Sequence, residues 1–335
     1  MSDSTIFISN YIIDGVPMDT SPAQLLGEDI PLTGTPVVDE TLDPAPGGDF
    51  DEAKIQDYLK LVKGLSPSLQ LPYAGQYARC RMAYSLIDSM WYRGPASLEE
   101  LSLSASFRWD NVRLGEGAAL YNAAQQSADL AEMLDLRLVH TDFAEGEPEV
   151  DFGVDGVESE RIVGSSLVCE ESSWLVYMPF DVDDLHLGGS ALSEAVGQLG
   201  GTAPDMEGPD YFIDCYEVVR ELAVDGILLS AKTVARGGLL AALDSMCGDG
   251  CGAQIDISDL LRAYPGADAV HALFSELPGA VFQIRDFDFD YVDAELLLQD
   301  VMYFPIGHPC KGASGVRISW SHRPAVESIV DSLIR

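Results

Sequence analysis

Behind a strand-like run from Gly226 to Ala231, the chain reads Val234-Ala235-Arg236-Gly237-Gly238-Leu239-Leu240, a glycine pair opening an apolar helix. Paired glycines let backbone N–H groups approach a ligand closely, and the positive end of the helix dipole favours an anion. The chemistry would be phosphate binding, with Arg236 available to pair with a phosphate or a carboxylate. The bland alternative is tight packing of helix on sheet, the usual purpose of a short Gly-rich turn in an α/β protein, with Arg236 on the surface. Glu116, Asp142 and Glu276 are the candidate site acids, each also readable as a solvated or capping carboxylate in a chain with 55 acidic residues. His140, His186, His271, His308 and His322 are dispersed without a metal-spaced pair. Of six cysteines (Cys80, Cys169, Cys215, Cys247, Cys251, Cys310) the one close pair is Cys247-Gly-Asp-Gly-Cys251, with no second pair or nearby His to complete four zinc ligands, so no metal site is expected. No nucleophile elbow, Walker loop or dinucleotide fingerprint occurs.

These residues need elements to position them. Residues 1–48 are rich in Pro, Thr, Asp and Gly and read as an extended arm or linker, whose apolar pieces Ile6-Phe7-Ile8 and Tyr11-Ile12-Ile13 lack an obvious cover. Asp51 is placed to cap a helix with Ile55, Tyr58, Leu59 and Val62 on one face, ended by Gly64. Next come a helix from Gln76 to Trp91, a strand around Leu101 to Phe107, a helix from Gly117 to Leu134 and a strand from Arg137 to His140. Acidic Glu145 to Glu160 reads as an exposed loop or hairpin, and Ser165 to Cys169 with Trp174 to Met178 as an antiparallel pair. From Gly188 onward helices and strands alternate: helices at Ser190–Leu199, Asp210–Val224, Gly238–Cys247, Ala267–Leu277 and Ala294–Gln299, and a last helix from Pro324. The strands fall at Ile227–Ala231, Ala253–Ile257, Ala280–Ile284, Val301–Pro305 and Val316–Trp320. The expectation is an α+β protein with a boundary near Gly164, giving subdomains 49–163 and 164–335, the second an α/β sandwich with a mixed sheet.

With 19 basic against 55 acidic residues the formal charge is −36. Such a surface repels nucleic acid and anionic membranes, so neither is expected as a partner, and a free nucleotide would need Mg²⁺ or a local basic patch. Adaptation to salt and a GC-rich genome explain the acidity equally well. No apolar run approaches the roughly twenty residues of a membrane span, and the start lacks the basic residues of a signal peptide. A cytoplasmic location is expected, where disulfides are improbable.

The order of Leu185-His186-Leu187-Gly188-Gly189-Ser190, Pro209-Asp210-Tyr211-Phe212, the Gly237-Gly238 junction, Phe274-Ser275-Glu276-Leu277-Pro278-Gly279 and Tyr303-Phe304-Pro305-Ile306-Gly307 is a familiar one. The chain resembles the second, aminoimidazole-ribonucleotide-synthetase-like half of large-type phosphoribosylformylglycinamidine synthase, the ATP- and glutamine-dependent amidoligase of purine biosynthesis. The resemblance runs from roughly Gly75 to Gly307 and is most specific after Leu185. It implies a first subdomain that gives strands to a barrel shared with a partner half. Here the stretch between the arm and Gly75 is shorter than the family needs, so that subdomain is expected to be truncated. It also implies chemistry in which ATP phosphorylates an amide oxygen and ammonia displaces the phosphate, with Mg²⁺ and ATP or ADP as cofactors and a glutaminase domain or subunit as ammonia source.

Family positions transfer unevenly. Where the family directs a Glu and an Asn one helical turn apart at nucleotide-bound Mg²⁺, this sequence has Tyr84 and Asp88. Where the family reads Asp-x-Ser-x-Gly-Gly, it has Thr233, Val234, Ala235 and Arg236 before Gly237-Gly238; the family's Gly-Lys-Asp-Ser loop is His140-Thr141-Asp142-Phe143. Asp88, Asp142, Arg236, Gly237, Gly238 and Glu276 are therefore the candidate vestigial nucleotide-binding residues, with Tyr84, Thr233 and Ala235 diverged. No catalytic residue, metal ligand or bound cofactor is expected for the isolated chain. Two readings stay open: a domain or subunit of the ligase with a degenerate auxiliary nucleotide site, or a non-catalytic scaffold half kept for assembly. Uncovered apolar edges in the arm lead either way to an expectation of self-association or pairing with a homologous half.

Overall fold

A computed structural model describes residues 5–321 except 33, 67, 96, 199 and 200. The helix expected from Pro324 and His322 lie outside the described residues.

The segment before residue 49 is more than an arm. It forms β1 (Tyr11–Ile13), β2 (Val16–Pro17), α1 (Pro22–Leu25) and β3 (Val37–Asp39), a small sheet in the order β2-β1-β3. Its apolar pieces are covered within the chain: Phe7 lies against Phe143 with ring centroids 4.6 Å apart, and Tyr11 against Tyr121 at 5.5 Å. The uncovered edges expected from the sequence are thus absent, because residues more than a hundred positions away close over them.

Helix α2 (Ile55–Lys63) buries Ile55, Tyr58, Leu59 and Val62, as the spacing requires. Asp51 caps the preceding 3₁₀ turn by accepting the Ala53 N–H at 3.0 Å. Helices α3 (Ala74–Ser89) and α4 (Glu116–Met133) pack together on a three-stranded sheet, β5-β4-β6, formed by β4 (Ser102–Arg108), β5 (Arg137–Ala144) and β6 (Glu149–Asp155). β4 runs parallel to β5 and antiparallel to β6. In β4, Leu103, Ala105 and Phe107 are buried and alternate with outward Ser104, Ser106 and Arg108, the period of a one-sided sheet. Strand β6 corrects the exposed loop or hairpin expected at 145–160, since it pairs with β4: Val150 and Phe152 point inward while Glu149, Asp151 and Asp155 face outward, so the acids belong to one face of a strand.

The larger sheet contains β7 (Trp174–Pro179), β8 (Leu228–Val234), β9 (Cys251–Asp256), β10 (Gly279–Ile284), β11 (Phe304–Lys311) and β12 (Val316–Ser319), ordered β12-β9-β11-β7-β10-β8. Its pairs are antiparallel except β12 with β9. Alternate residues feed two cores. Val176, Met178, Ala280 and Phe282 join α3, α4 and α6 (Pro209–Val224), with α10 (Phe289–Leu298) at the margin. Leu175, Tyr177 and Val281 join α2, α5 (Ala191–Ala195), α7 (Gly238–Met246), α8 (Ser258–Ala263) and α9 (Ala269–Phe274) on the other face. The first core is continuous with that of the smaller sheet, so α3 is wedged between two sheets. The architecture is α+β with mixed sheets, and the described residues close no barrel.

Three further expectations shift. Residues 165–169 form no strand; the Val168 N–H and C=O are both held by the buried Gln283 amide, at 2.9 and 2.7 Å. Helix α9 is shorter than expected, since Asp268 starts it late by accepting the Val270 and His271 N–H groups. Strand β11 begins and ends later than its apolar run suggests. Pro305 and Pro309 disguise it, and a register shift falls between Pro305 and Gly307, where any Cβ at 307 would lie 2.1 Å from the Gln254 carbonyl oxygen.

Candidate functional site

The Gly237-Gly238 junction forms as read, between β8 and α7, with both residues at positive φ. A Cβ at 238 would sit 2.7 Å from the Leu273 carbonyl oxygen, so close backbone approach to the end of α9 requires this glycine. The junction's polar partner is internal. Glu276 Oε1 accepts the Gly237 N–H at 2.7 Å and the Ala191 N–H at 2.8 Å, placing one carboxylate oxygen on two loops at once. Burial pushes the Glu276 carboxyl above its ordinary range, against the opposing pull of these two amides and of Arg236. Arg236 itself pairs with Glu194 at 3.0 Å and donates to the Ser66 carbonyl at 3.1 Å.

On α3, Tyr84 and Asp88 stand one turn apart on the face toward β8. The Tyr84 hydroxyl donates to the Glu276 backbone carbonyl, and burial raises its pKa. Thr233 on β8 donates to Asp88 at 3.3 Å and accepts from Trp91 Nε1 at 3.0 Å. Six candidate positions, Tyr84, Asp88, Thr233, Ala235, Arg236 and Glu276, thus border two adjoining cavities. The first, around Tyr77, Cys80, Tyr84, Ser190, Arg236 and Glu276, has a volume of ≈ 40 Å³. That suits one or two waters and falls far below the roughly 300 Å³ at which ligand pockets begin. The second is an open groove of ≈ 570 Å³ beside Tyr84, Asp88, Thr233 and Ala235.

The remaining candidates lie elsewhere or have structural partners. Asp142 is exposed on β5, pairs with His140 at 3.1 Å and borders neither cavity. Glu116 is fully buried at the start of α4, accepting the Arg113 N–H at 2.8 Å as well as the Arg113 side chain and the Val112 N–H. Burial opposes its charge, but these donors outweigh it and hold the carboxyl below its usual range. Two cations that the sequence reading passed over, Arg81 and Lys232, border the groove. Arg81 pairs with Asp151 of β6. Their signal was available: Lys232 immediately precedes Thr233 in a chain poor in lysine, and Arg81 lies one turn before Tyr84.

A Mg²⁺-nucleotide fits these residues poorly. The Gly237 N–H already holds a carboxylate and the Gly238 N–H donates to the Ala235 carbonyl, the adjoining cavity is too small, and the groove beside Thr233 is lined by two carboxylate side chains, Asp88, which takes the Thr233 hydroxyl, and Glu158. Hard cations need several oxygen ligands.

Residues 172–285, less than half of the chain, match the family described as AIR synthase related protein, C-terminal domain. More particularly, the chain is similar to phosphoribosylformylglycinamidine synthase. It is 29% identical to the Homo sapiens enzyme of that name over 219 residues, 57% of this chain and 15% of that protein. It is 25% identical over 301 residues, 83% of this chain and 21% of the relative, to the probable chloroplastic/mitochondrial synthase of Arabidopsis thaliana. The chain therefore spans about a fifth or less of the length of these relatives. Thermotoga maritima PurL complexed with FGAR shares the fold at TM-score 0.55 and 13% identity, covering 76% of this chain and 42% of PurL.

Proposed function

We propose that the chain acts as the second synthetase-like half, as a domain or a separate subunit, of a phosphoribosylformylglycinamidine synthase in purine biosynthesis, and that its own nucleotide site is closed. The reaction, ATP- and glutamine-dependent by resemblance, then requires a partner half for the active nucleotide site and a glutaminase for ammonia. The chain divides on this reading into a first subdomain, 49–163, and a second, 164–335, working in the cytoplasm. Related PurL structures hold ATP, ADP or AMPPCP, and one is of PurLQS, which supports nucleotide chemistry and assembly for the family rather than for this half alone.

The observation that carries the closed site is Glu276, whose carboxylate takes the Gly237 and Ala191 amides that an anion would use. A helix N-terminus in an exposed setting contributes only about 0.3–1 kcal/mol to anion binding. A micromolar complex needs about 8 kcal/mol. Isothermal titration of the chain with ADP and MgCl₂ is expected to give no heat above dilution; tight binding would overturn the closed site. Co-expression with an intact first half and a glutaminase is expected to give glutamine-dependent ligase activity that this chain increases. Unchanged activity on its omission favours the scaffold reading, for which the mutual hydrogen bonding of Asp88, Thr233 and Trp91 speaks: these groups satisfy one another rather than a ligand.

A further inference from the structure

Four of the six cysteines, dispersed in sequence, converge at one end of the larger sheet. Cys247 and Cys251 flank a tight turn closed by the Gly248 N–H on the Cys251 carbonyl at 2.9 Å and the Cys251 N–H on the Gly248 carbonyl at 3.1 Å. Cys310 lies on β11 directly across from Gly252. Cys169 arrives from the loop before β7, its thiol 3.8 Å from the carbonyl oxygen of Gly250, the residue bonded to Cys251. Both backbones are fixed. Gln283 grips Val168 on each side of its peptide unit, the Leu167 N–H donates to the Met246 carbonyl at 2.9 Å, and Cys251 begins β9 opposite Lys311. Cys169 is exposed and Cys251 buried, so one sulfur meets solvent and the other waits behind it.

We propose that Cys169 and Cys251 form an oxidation site that a peroxide-class, two-electron oxidant closes into a disulfide. The Cys169 thiolate attacks one peroxide oxygen, the O–O bond breaks, and sulfenic acid and hydroxide form. The Cys251 sulfur then displaces hydroxide from the Cys169 sulfur, and its proton leaves with that hydroxide as water. Two thiols and one hydrogen peroxide give one disulfide and two waters. Burial, followed by the Cys169 contact, pushes the Cys251 thiol up to about 12. The second step is therefore slow at neutral pH and accelerates about tenfold per pH unit while the thiolate fraction limits it. The bond ties the loop before β7 to β9 and encloses all of β8 and the Arg236-Gly237-Gly238 junction between its ends.

The test treats the full chain with hydrogen peroxide at pH 7 and pH 9, counts free thiols after denaturation, and maps the digest without reduction. A loss of two thiols per chain, a linked peptide pair containing Cys169 and Cys251, faster closure at pH 9 and a higher melting temperature are expected. Cys169→Ser, at an exposed position, should abolish the linked pair, while Cys247→Ser with Cys310→Ser should preserve it. Cross-linking of Cys247 to Cys251, sulfinic acid at Cys169 with Cys251 still a thiol, or isolated protein whose bound zinc shields all four sulfurs would each overturn the proposal.

Discussion

Glu276 shows how one side chain decides what a motif is used for. Both amide contacts fall on the same oxygen, Oε1, so Glu276→Gln preserves the acceptor and removes the charge. A carboxyl whose folded pKa is raised contributes most below its unfolded pKa, and that contribution is lost as pH rises through the folded value. The glutamine variant should therefore gain on the parent as pH rises from about 4 to 8, a span chosen around the unperturbed glutamate pKa. Thermal melts across that range check it; parallel curves would contradict it. Glu276→Ala instead leaves two amides without their acceptor and should lower stability by about 1–3 kcal/mol at every pH. The sequence admitted a capping carboxylate here but did not give its partners. Glu276 lies 39 residues from Gly237 and 85 from Ala191, so the contact exists only once α5, α7 and the turn before β10 have assembled. Tyr84, Asp88 and Thr233 were reachable because the resemblance supplied positions, and the fold does bring Asp88 and Thr233 together.

At the scale of elements, legibility followed periodicity and caps. Helix α2 was readable from four apolar residues at helical spacing between Asp51 and Gly64, and α7 from the glycine pair and the apolar run behind it. β6 was hidden by acids on its outward face and β11 by two prolines and a glycine, all residues that normally argue against a strand. The role of residues 1–48 was hidden too, since it depends on Asp39. That buried carboxylate accepts the Gly115, Gly117 and Ala118 N–H groups at 2.9, 2.8 and 3.2 Å, so the small sheet caps α4 across more than seventy residues. Asp39→Ala should cost about 2 kcal/mol, at the upper end for a helix cap because the donors are buried. Chemical denaturation measures it, and a cost below about 0.5 kcal/mol, the lower bound for caps, would show that water replaces the carboxylate. Arg220 on α6 is a second tie of this kind. At 2% exposure it donates to the carbonyls of Met90, Tyr92, Gly94 and Pro95 at 2.6 to 3.0 Å, and no carboxylate pairs with it among the described residues. Arg220→Met leaves four carbonyls without their donor and should destabilise by about 1–3 kcal/mol or more, the cost of unsatisfied buried acceptors, and expose the turn after α3 to proteolysis. An intact proteolysis pattern would contradict that role.

For the whole molecule the governing quantity is charge. Even if each of the 19 basic residues paired with one acid, 36 carboxylates would have no cation. The cations are indeed spent locally: Lys60 on Asp57, Arg93 on Glu160, Arg236 on Glu194 and Arg81 on Asp151. Exposed pairs such as Lys60 with Asp57 and Arg93 with Glu160 are worth about 0–1 kcal/mol each, and salt weakens them. Repulsion among the unpaired carboxylates acts in the opposite sense and over longer distances, which salt screens most effectively: at 0.1 M the screening length is about 10 Å. Two salt effects therefore compete, and the numbers decide between them. Few pairs lose a little each, whereas the excess acids, nearly twice as numerous as the basic residues, lose mutual repulsion throughout the surface. The melting temperature should rise with NaCl through about the first 0.3 M, where the screening length falls most steeply in absolute terms, and then flatten. Repeating the titration with KCl separates screening from ion-specific binding, since screening depends on ionic strength alone. A flat or falling curve in both salts would mean that the acids are spaced too widely for their repulsion to matter and that the local pairs set the balance.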